Sequence, residues 1–392
     1  MPLTFEQYLR GSAVTPAVID TFLDPAQPSW AQFDPDTGYV LGNSMPHDGL
    51  DGSWTISTAQ PQGMRTAFMY ANQPCRINTY GNSFTQCHQV SDGETWQEYL
   101  AAHFGEPIRN FGMGGYGVFQ SYRRMRLIEN SNLGSPYVLF YVWGDDHCRS
   151  IMRCRHAVTY PHWDSQDGKA FHGNFWAHLE LDPVSGEFVE HDNLLATPEQ
   201  LYRMTDPDFM VEALKDDLML QLYAIDQVDP ASLDHAPLDA LADMLACPPL
   251  DFTSLDTLCE SALNLRNEYG FAATRYILDK AAAFCSAHDK KLLLILLCPL
   301  ATMQLLRGES RYDQTVADFI AERGVPCFDM NLFHLADYAS FSLSVDEYIN
   351  RYFIGHYSPR GNNLFAYALK NTLVDILNPP PVTYRDDGTR AV

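Results

Sequence analysis

A serine in the segment Tyr80-Gly81-Asn82-Ser83 follows a short run of β-branched and aromatic residues. A strand that ends in a glycine turn can expose such a hydroxyl at the edge of a sheet. The turn can also point backbone N–H groups at a developing oxyanion. The same serine would serve equally well as the cap of a following helix. The segment by itself therefore leaves a nucleophile and a helix cap open.

Three further segments place glycine and polar residues directly after a predicted strand or before a predicted helix. They are the stretch 110–117 (NFGMGGYG), the stretch 143–146 (WGDD) and the stretch 355–362 (GHYSPRGN). In open α/β sheets, ligands bind beyond the carboxyl ends of the strands. These strand ends are therefore where we expect the chemistry.

Taken in order, these four segments resemble the sequence blocks of the SGNH (GDSL-like) hydrolases. The stretch 81–105 resembles the first block, in which a strand ends in Gly-Asp-Ser and an acidic segment precedes a Thr-Trp helix start. The other three resemble the glycine block, the Gly-Asn-Asp block and the final histidine block. The resemblance covers about residues 76–146 and 270–377, and agreement of order and context makes it more specific than any single motif.

The resemblance implies a serine hydrolase that cleaves a carboxylic ester of a small molecule or a carbohydrate, for example an O-acetyl group. Ser83 would be the nucleophile and His356 its base. The backbone N–H groups of Ser83 and Gly115 would bind the oxyanion. No metal and no organic cofactor is needed for this chemistry.

Two departures from the family pattern concern the turn and the oxyanion hole. Asn82 replaces the family's Asp beside the serine. Asp145, or Asp146 if the alignment shifts by one residue, replaces the Asn that donates to the oxyanion. A carboxylate donates only when protonated, and losing one oxyanion donor costs about 3–4 kcal/mol. We nevertheless assign Asp145 to the oxyanion position, and Asn82, Asp146 and Arg149 as candidate substrate contacts.

A third departure concerns the group that orients the histidine. The family's Asp three residues before it is replaced by Phe353. We expect a backbone carbonyl to orient His356, with Asp346, Glu347 and Asp329 as further candidates. The alternative to an active hydrolase is a protein of this fold with lost or repurposed catalysis that binds a small molecule or glycan.

Other polar residues cluster in the middle of the chain. Arg149, Arg153 and Arg155 would anchor an anionic substrate group, or form a solvated charge cluster. Six histidines could supply metal ligands, but their spacing fits no compact site, so we predict no metal. These histidines are His147, His156, His162, His172, His178 and His191.

Composition narrows the class of partner. The formal net charge of −23 disfavours nucleic acid and anionic membranes. No apolar stretch reaches about 18 residues, so we expect no membrane span. Nine cysteines without a CxxC pair favour reduced thiols. With no secretory signal at the first residues, a cytoplasmic location is the default. The oligomeric state stays open.

The alternation of apolar strands and amphipathic helices predicts an α/β fold with a parallel sheet. Expected strands are 76–80, 108–111, 137–143, 292–297 and 325–328. Expected helices are 95–104, 119–128, 272–288, 313–323 and 362–377. The resemblance implies a three-layer α/β/α sandwich with a flavodoxin-like sheet of about five strands.

Two regions interrupt this alternation. Residues 1–74 are expected as an N-terminal extension packed on the main domain. Residues 148–269 are expected as an insertion, a candidate lid, with a hairpin around Pro183–Gly186 followed by helices near 207–225 and 238–245. The hydrolase domain would comprise 75–147 and 270–378, and 379–392 would be a loose tail.

Overall fold

The computed structural model describes residues 2–27, 29–142, 144–163 and 173–378, with side chains left out at 160–163. The chain divides into two compact units. The first comprises Met1–Val40, Gly117–Arg123 and Asp145–Leu278, and the second comprises Leu41–Tyr116, Arg124–Gly144 and Asp279–Val392. Residues 1–40 thus group with the middle of the chain, and 41–74 group with the central sheet.

The described residues form eleven strands. They are β1 (Ala31–Asp34), β2 (Gly38–Leu41), β3 (Ala59–Gln60), β4 (Met64–Arg65), β5 (Ile77–Tyr80), β6 (Ile108–Asn110), β7 (Tyr137–Val142), β8 (His178–Leu181), β9 (Phe188–His191), β10 (Lys291–Leu296) and β11 (Cys327–Asp329).

The same residues form α-helices and short 3₁₀ segments. The helices are α1 (Phe5–Gly11), α2 (Pro16–Leu23), α3 (Ser83–Gln86), α4 (Trp96–Phe104), α5 (Val118–Glu129), α6 (Asp146–Arg149), α7 (His156–Trp163), α8 (Pro207–Leu214), α9 (Leu218–Ala224), α10 (His235–Met244), α11 (Leu255–Ala287), α12 (Pro299–Leu306), α13 (Gln314–Arg323), α14 (Met330–Tyr338), α15 (Val345–Tyr352) and α16 (Pro359–Leu377). The 3₁₀ segments are Leu50–Gly52, Pro61–Gly63, Asp92–Glu94, Pro198–Thr205 and Pro230–Ser232.

The second unit contains a mixed, mostly parallel sheet of seven strands. Its order is β11-β10-β7-β5-β6-β4-β3. The strands from β11 to β6 are parallel, and β4 and β3 add an antiparallel edge. Numbered along the chain, the parallel strands run 2-1-3-4-5. The predicted α/β class is confirmed.

Continuous apolar runs explain the centre of this sheet. The side chains of β7 are buried from Val138 to Val142, and those of β10 from Leu293 to Leu296. Strands covered on both faces need such runs, because neither face meets water. The five expected strands all form, each within a few residues of its predicted bounds. Trp143, expected to end the third, lies outside the described residues.

The helices next to the sheet bury aromatic side chains against it. The helix α4 begins at the Thr95 cap, whose side chain accepts a hydrogen bond from the Glu98 N–H. Its Trp96 ring lies 4.9 Å from the ring of Phe365 in α16. Both side chains belong to the core that also contains Ile77, Leu139 and Ile295. This packing fixes the end of α16 that follows His356.

The first unit contains two antiparallel strand pairs among helices. The pair β8–β9 is in register from His178 opposite His191 to Leu181 opposite Phe188, and confirms the hairpin expected around Pro183–Gly186. The helix α11 runs unbroken from Leu255 to Ala287. The expected domain limit at 269–270 therefore falls inside one helix.

No helix in the described ranges combines the length and the apolarity needed to cross a bilayer.

Candidate active site

Ser83 lies at the carboxyl end of β5, in the turn that leads into α3. The N-cap of α3 is Asn82, whose side-chain oxygen accepts a hydrogen bond from the Phe84 N–H at 2.8 Å. Ser83 is thus the first helical residue, and the alternative in which it caps the helix is wrong. Asn82 is fully buried in this capping role. Its role as a substrate contact stays a prediction.

The Ser83 hydroxyl and the His356 imidazole meet across 273 residues of sequence. The distance from His356 Nε2 to Ser83 Oγ is 2.7 Å, a hydrogen bond of ordinary length. Both residues belong to the second unit. A serine held this way by an imidazole has the arrangement of an activated nucleophile.

His356 lies in a tight loop between α15 and α16. The backbones of Phe353 and Tyr357 pair across this loop, and the Ile354 N–H donates to the His356 carbonyl at 2.8 Å. Ser358 then caps α16 by accepting from the Gly361 N–H. Phe353, three residues before His356, stacks on Tyr357 at 4.5 Å and is buried. An apolar contact thus occupies the position at which the sequence resemblance would place an acid.

A glutamine side chain orients His356. Gln89 Oε1 lies 2.9 Å from His356 Nδ1 and also accepts the His356 backbone N–H at 2.8 Å. Because a backbone N–H can only donate, the oxygen of the amide must face the histidine, and the ring carries its proton on Nδ1. Nε2 is then left unprotonated toward Ser83. Such a tautomer can accept the serine proton.

The expected orienting groups are corrected by this contact. The carbonyl that accepts from the imidazole belongs to a side chain, not to the backbone. The acidic candidates are used elsewhere: Asp346 approaches Arg307, Glu347 caps its own helix and Asp329 pairs with Arg311. None of the three accepts a hydrogen bond from His356.

The turn that carries Gln89 has an unusual backbone. Cys87 and Gln89 both have positive φ values, 62° and 68°, which non-glycine residues adopt rarely. Such conformations cost free energy and persist only when surrounding contacts enforce them. Gly355 leaves room for the Gln89 side chain, because a Cβ at position 355 would lie 2.9 Å from Gln89 Oε1. The turn is therefore built to bring residues 88 and 89 against the histidine loop.

Arg65, in β4, enforces this turn. Its guanidinium is buried and donates to the carbonyls of Gln86, Cys87 and Val90, at 2.5–2.6 Å. The same group pairs with Asp92, at 2.9 Å. A single arginine thus satisfies three turn carbonyls and one carboxylate at once, which uses four of the five N–H donors of its guanidinium.

A second histidine and an acid lie beside the first pair. The His88 ring stacks on the His356 ring at 5.0 Å, and His88 Nε2 lies 2.9 Å from Asp48 Oδ2. Burial would raise the pKa of Asp48, but hydrogen bonds from His88 and Thr55 outweigh it, so the pKa is lowered overall. The Asp48 backbone carbonyl also accepts from Gln89 Nε2 at 2.9 Å. Asp48 therefore holds both residues of the turn.

The loop after β6 contains Gly115, the residue expected to donate to an oxyanion. Met113 N–H donates to the Gly81 carbonyl and Gly114 N–H to Gln86 Oε1, which ties this loop to the serine turn. At Gly112 a Cβ would lie 2.3 Å from the Gln86 nitrogen, so only glycine allows this approach. Within the described part of the chain, nothing accepts a hydrogen bond from the N–H groups of Ser83 and Gly115. Their role as oxyanion donors stays a prediction.

The remaining predicted residues form a cluster of their own in the first unit. Arg149 lies 3.3 Å from Asp145 and 3.2 Å from Asp146. Burial lowers the pKa of Arg149, but the two carboxylates outweigh it and raise the pKa overall. The Asp146 side chain is 1% exposed. Asp146 and Arg149 are buried against each other, and their role as substrate contacts stays a prediction.

The pairing of Asp145 bears on its expected role. The Asp145 carboxylate accepts from the Arg149 guanidinium at 3.3 Å, whereas an oxyanion has to be met by a donor. The oxyanion role of Asp145 stays a prediction.

Several described histidines of the middle region are buried or hydrogen-bonded inside the protein, which indicates a structural role. His147 Nδ1 hydrogen-bonds the Thr274 hydroxyl at 2.7 Å, and burial lowers the pKa of His156 and of His178 to about 3. His172 and the side chain of His162 lie outside the described residues. Across the ranges that are described, no group of three His, Cys, Asp or Glu side chains could hold a metal ion.

Sequence reasoning missed Gln89, His88, Asp48 and Arg65. His88 and Gln89 lie only five and six residues after Ser83, but the left-handed backbone that aims them has no glycine to signal it. Asp48 and Arg65 come from a segment interpreted as irregular. No pattern in the sequence links them to the serine turn.

No protein-family model and no curated protein matches this sequence.

Proposed function

We propose that this chain is a serine hydrolase of the SGNH type, which cleaves a carboxylic ester through an acyl-enzyme on Ser83. The single observation that carries the proposal is the 2.7 Å contact between His356 Nε2 and Ser83 Oγ. The four sequence blocks that led to this pair lie at strand ends or helix starts, as the resemblance requires. The proposed substrate is a small-molecule or carbohydrate ester, with an O-acetyl group as the family-level expectation.

The sheet supports the finer fold assignment that the proposal includes. The order 2-1-3-4-5 of the parallel strands is that of flavodoxin-like, doubly wound sheets. In such sheets helices cover both faces, which gives three layers. Ser83 follows the first parallel strand, and the Gly115 loop follows its neighbour β6. We therefore propose a three-layer α/β/α sandwich with five parallel strands and an added antiparallel edge.

The proposed reaction begins when a substrate carbonyl lies between Ser83 and the open N–H groups. His356 Nε2 takes the proton of the Ser83 hydroxyl as Oγ attacks the carbonyl carbon. The N–H groups of Ser83 and Gly115 stabilise the negative oxygen of the tetrahedral intermediate. His356 returns the proton to the leaving alcohol, and an acyl-enzyme remains. Water, deprotonated by His356, releases the acid and restores Ser83.

Gln89 takes the place of the usual acid in this scheme. Its oxygen holds His356 in the productive tautomer, as the triad carboxylate does. It carries no charge, so it stabilises the imidazolium through a dipole only. Among the nearby groups, Asp48 supplies a negative charge, one ring away beyond His88. The arrangement preserves the geometry of a triad with weaker electrostatic support.

The second candidate is a protein of this fold that binds an ester-like or glycan ligand without hydrolysing it. The neutral Gln89 favours it, since an uncharged third member stabilises the transition state less. The pairing of Asp145 with Arg149 also favours it, because it supplies no oxyanion donor. The intact contact between Ser83 and His356 argues for hydrolysis.

Hydrolysis of short- and long-chain nitrophenyl esters tests the proposal. We expect the wild type to turn over a short-chain ester, and Ser83→Ala and His356→Ala each to lower kcat by about 10³-fold or more, since both members act as a unit. Thermal unfolding of each variant serves as the folding control. Equal rates for the wild type and Ser83→Ala would remove Ser83 as the nucleophile.

A further inference from the structure

The first unit contains a cavity of about 300 Å³ that plays no part in the proposed hydrolysis. Residues of β8, α9, α10 and α11 line it, together with the loop at 151–153. Its apolar wall includes Leu179, Leu181, Leu241 and Met244. This volume is at the lower end of the range for small-molecule sites, which are mostly apolar clefts with a few polar groups.

Several polar groups of the cavity wall are already used by the protein. Arg153 pairs with Glu180 at 3.2 Å and donates to the Ala213 carbonyl. The two carboxylate oxygens of Asp217 accept the N–H groups of Arg153 and Leu220. The positive charge of Arg153 is therefore neutralised by Glu180. Both carboxylate oxygens of Asp217 are occupied by backbone N–H groups.

Apart from the Tyr269 hydroxyl, which accepts from the Leu181 N–H at 3.1 Å, the groups that remain are acceptors. Gln221 lines the cavity and is 1% exposed, and its Nε2 donates to the Lys215 carbonyl. Its Oε1 is buried and has no hydrogen-bond partner within the described residues. Asp216 and Asp234, both exposed, add two carboxylates at the cavity.

We propose that this cavity is a binding site for a small ligand with an apolar body and a cationic ammonium group. The aliphatic wall would take the apolar body. The ammonium group would be attracted by the carboxylates of Asp216 and Asp234. An anionic ligand would meet two carboxylates and a cation that Glu180 already neutralises. The site is independent of Ser83 and would stand if the proposed hydrolysis failed.

Three probes of similar size and different charge test the assignment on the full-length protein. They are 2-phenylethylammonium, 2-phenylethanol and 3-phenylpropionate, titrated by calorimetry and by ligand-observed NMR. We expect the ammonium to bind at least tenfold more tightly than the carboxylate, with the alcohol between them. Ser83→Ala should bind the ammonium like the wild type, which separates this cavity from the serine site.

Two pairs of variants locate the binding. Ala240→Trp fills the cavity from α10 and should weaken ammonium binding more than tenfold. Ala236→Trp lies on the same helix outside the lining and is the matched control. Asp216→Asn with Asp234→Asn should weaken the ammonium about fivefold and leave the alcohol unchanged. Asp239→Asn with Asp243→Asn removes the same charge from exposed positions that do not line the cavity.

Three results would overturn the proposal. The first is no binding of the ammonium up to its solubility limit. The second is a carboxylate or an alcohol that binds as tightly as the ammonium. The third is an Ala240→Trp protein that is folded by thermal unfolding and still binds the ammonium like the wild type.

Discussion

At the scale of single residues, the site separates two tasks that one carboxylate performs in a serine triad. Gln89 fixes the tautomer and the orientation of His356 by accepting from both its Nδ1 and its backbone N–H. It does not supply the charge that stabilises an imidazolium. Orientation is thus preserved and electrostatic support is reduced. The proposed hydrolase should then depend on Gln89 for geometry.

This dependence gives a prediction for Gln89. We expect Gln89→Leu to lower kcat by about 10- to 100-fold with little change in KM, because the imidazole loses its orienting acceptor. Gln89→Glu keeps an acceptor and adds a charge that favours the imidazolium. The acidic limb of the pH–rate profile of Gln89→Glu should therefore lie at higher pH than that of the wild type.

A purely structural role for Gln89 would give a different result. The Gln89→Glu protein would then show the wild-type pH profile, and Gln89→Leu would lose stability and activity in parallel. Thermal unfolding of both variants separates these cases.

At the scale of elements, the histidine loop rests on an aromatic core that contains another histidine. His334, in α14, hydrogen-bonds the Tyr348 hydroxyl at 2.9 Å and the Tyr357 hydroxyl at 2.5 Å. Tyr357 directly follows His356. Burial lowers the pKa of His334 to about 3, so the ring is neutral at working pH. The position of the loop is therefore coupled to an uncharged His334.

The coupling predicts a pH dependence of stability. The pKa of His334 is about 3 in the folded protein and about 6.5 in the unfolded chain. Between pH 3 and pH 6.5 the unfolded chain therefore binds more protons than the folded protein. Stability is full above pH 6.5 and falls as the pH drops toward 3. From pH 7 to 5, we expect His334 to account for about 2 kcal/mol of that loss. Urea unfolding of the wild type and His334→Phe measures it.

The variant should be less stable at pH 7, because two tyrosine hydroxyls lose a partner. Its stability should nevertheless change less between pH 7 and 5 than that of the wild type. An identical pH dependence in both proteins would contradict a neutral His334 in the folded state.

Elements with a clear hydrophobic pattern could be predicted from the sequence. Elements that depend on contacts between distant residues could not. The runs of β7 and β10 are apolar on both faces, and this pattern identified them. The strands β3 and β4 have two residues each, too few for any period to show. The helix α11 begins 17 residues before its predicted start at 272, in a part of the chain interpreted as an insertion.

The same contrast holds for the site. Ser83 and His356 could be predicted because the glycine and serine turns around them resemble the blocks of a known hydrolase family. The contacts of Gln89, Asp48 and Arg65 depend on tertiary structure alone. Their residue types are ordinary for a polar surface.

At the scale of the whole molecule, charge governs which substrates approach. The formal net charge is −23. Such a surface repels anions over a distance set by the Debye length, which falls from about 30 Å at 0.01 M salt to about 8 Å at 0.15 M. Ester substrates of different charge should therefore respond differently to salt.

Three phenyl acetates, one neutral, one with a carboxylate and one with a trimethylammonium group, test this expectation. Between 10 and 150 mM NaCl, kcat/KM should rise several-fold for the anionic ester and fall for the cationic one. The neutral ester is the control. A salt response of the same sign for all three esters would contradict charge steering.

The central claim is that Ser83 is a nucleophile activated by His356. Intact-mass analysis after treatment with a fluorophosphonate, followed by peptide mapping, tests it most directly. We predict one adduct on the wild-type chain, located at Ser83, absent from Ser83→Ala and strongly slowed in His356→Ala. A folded wild-type protein that forms no adduct, or one whose adduct maps to another serine, would contradict the account.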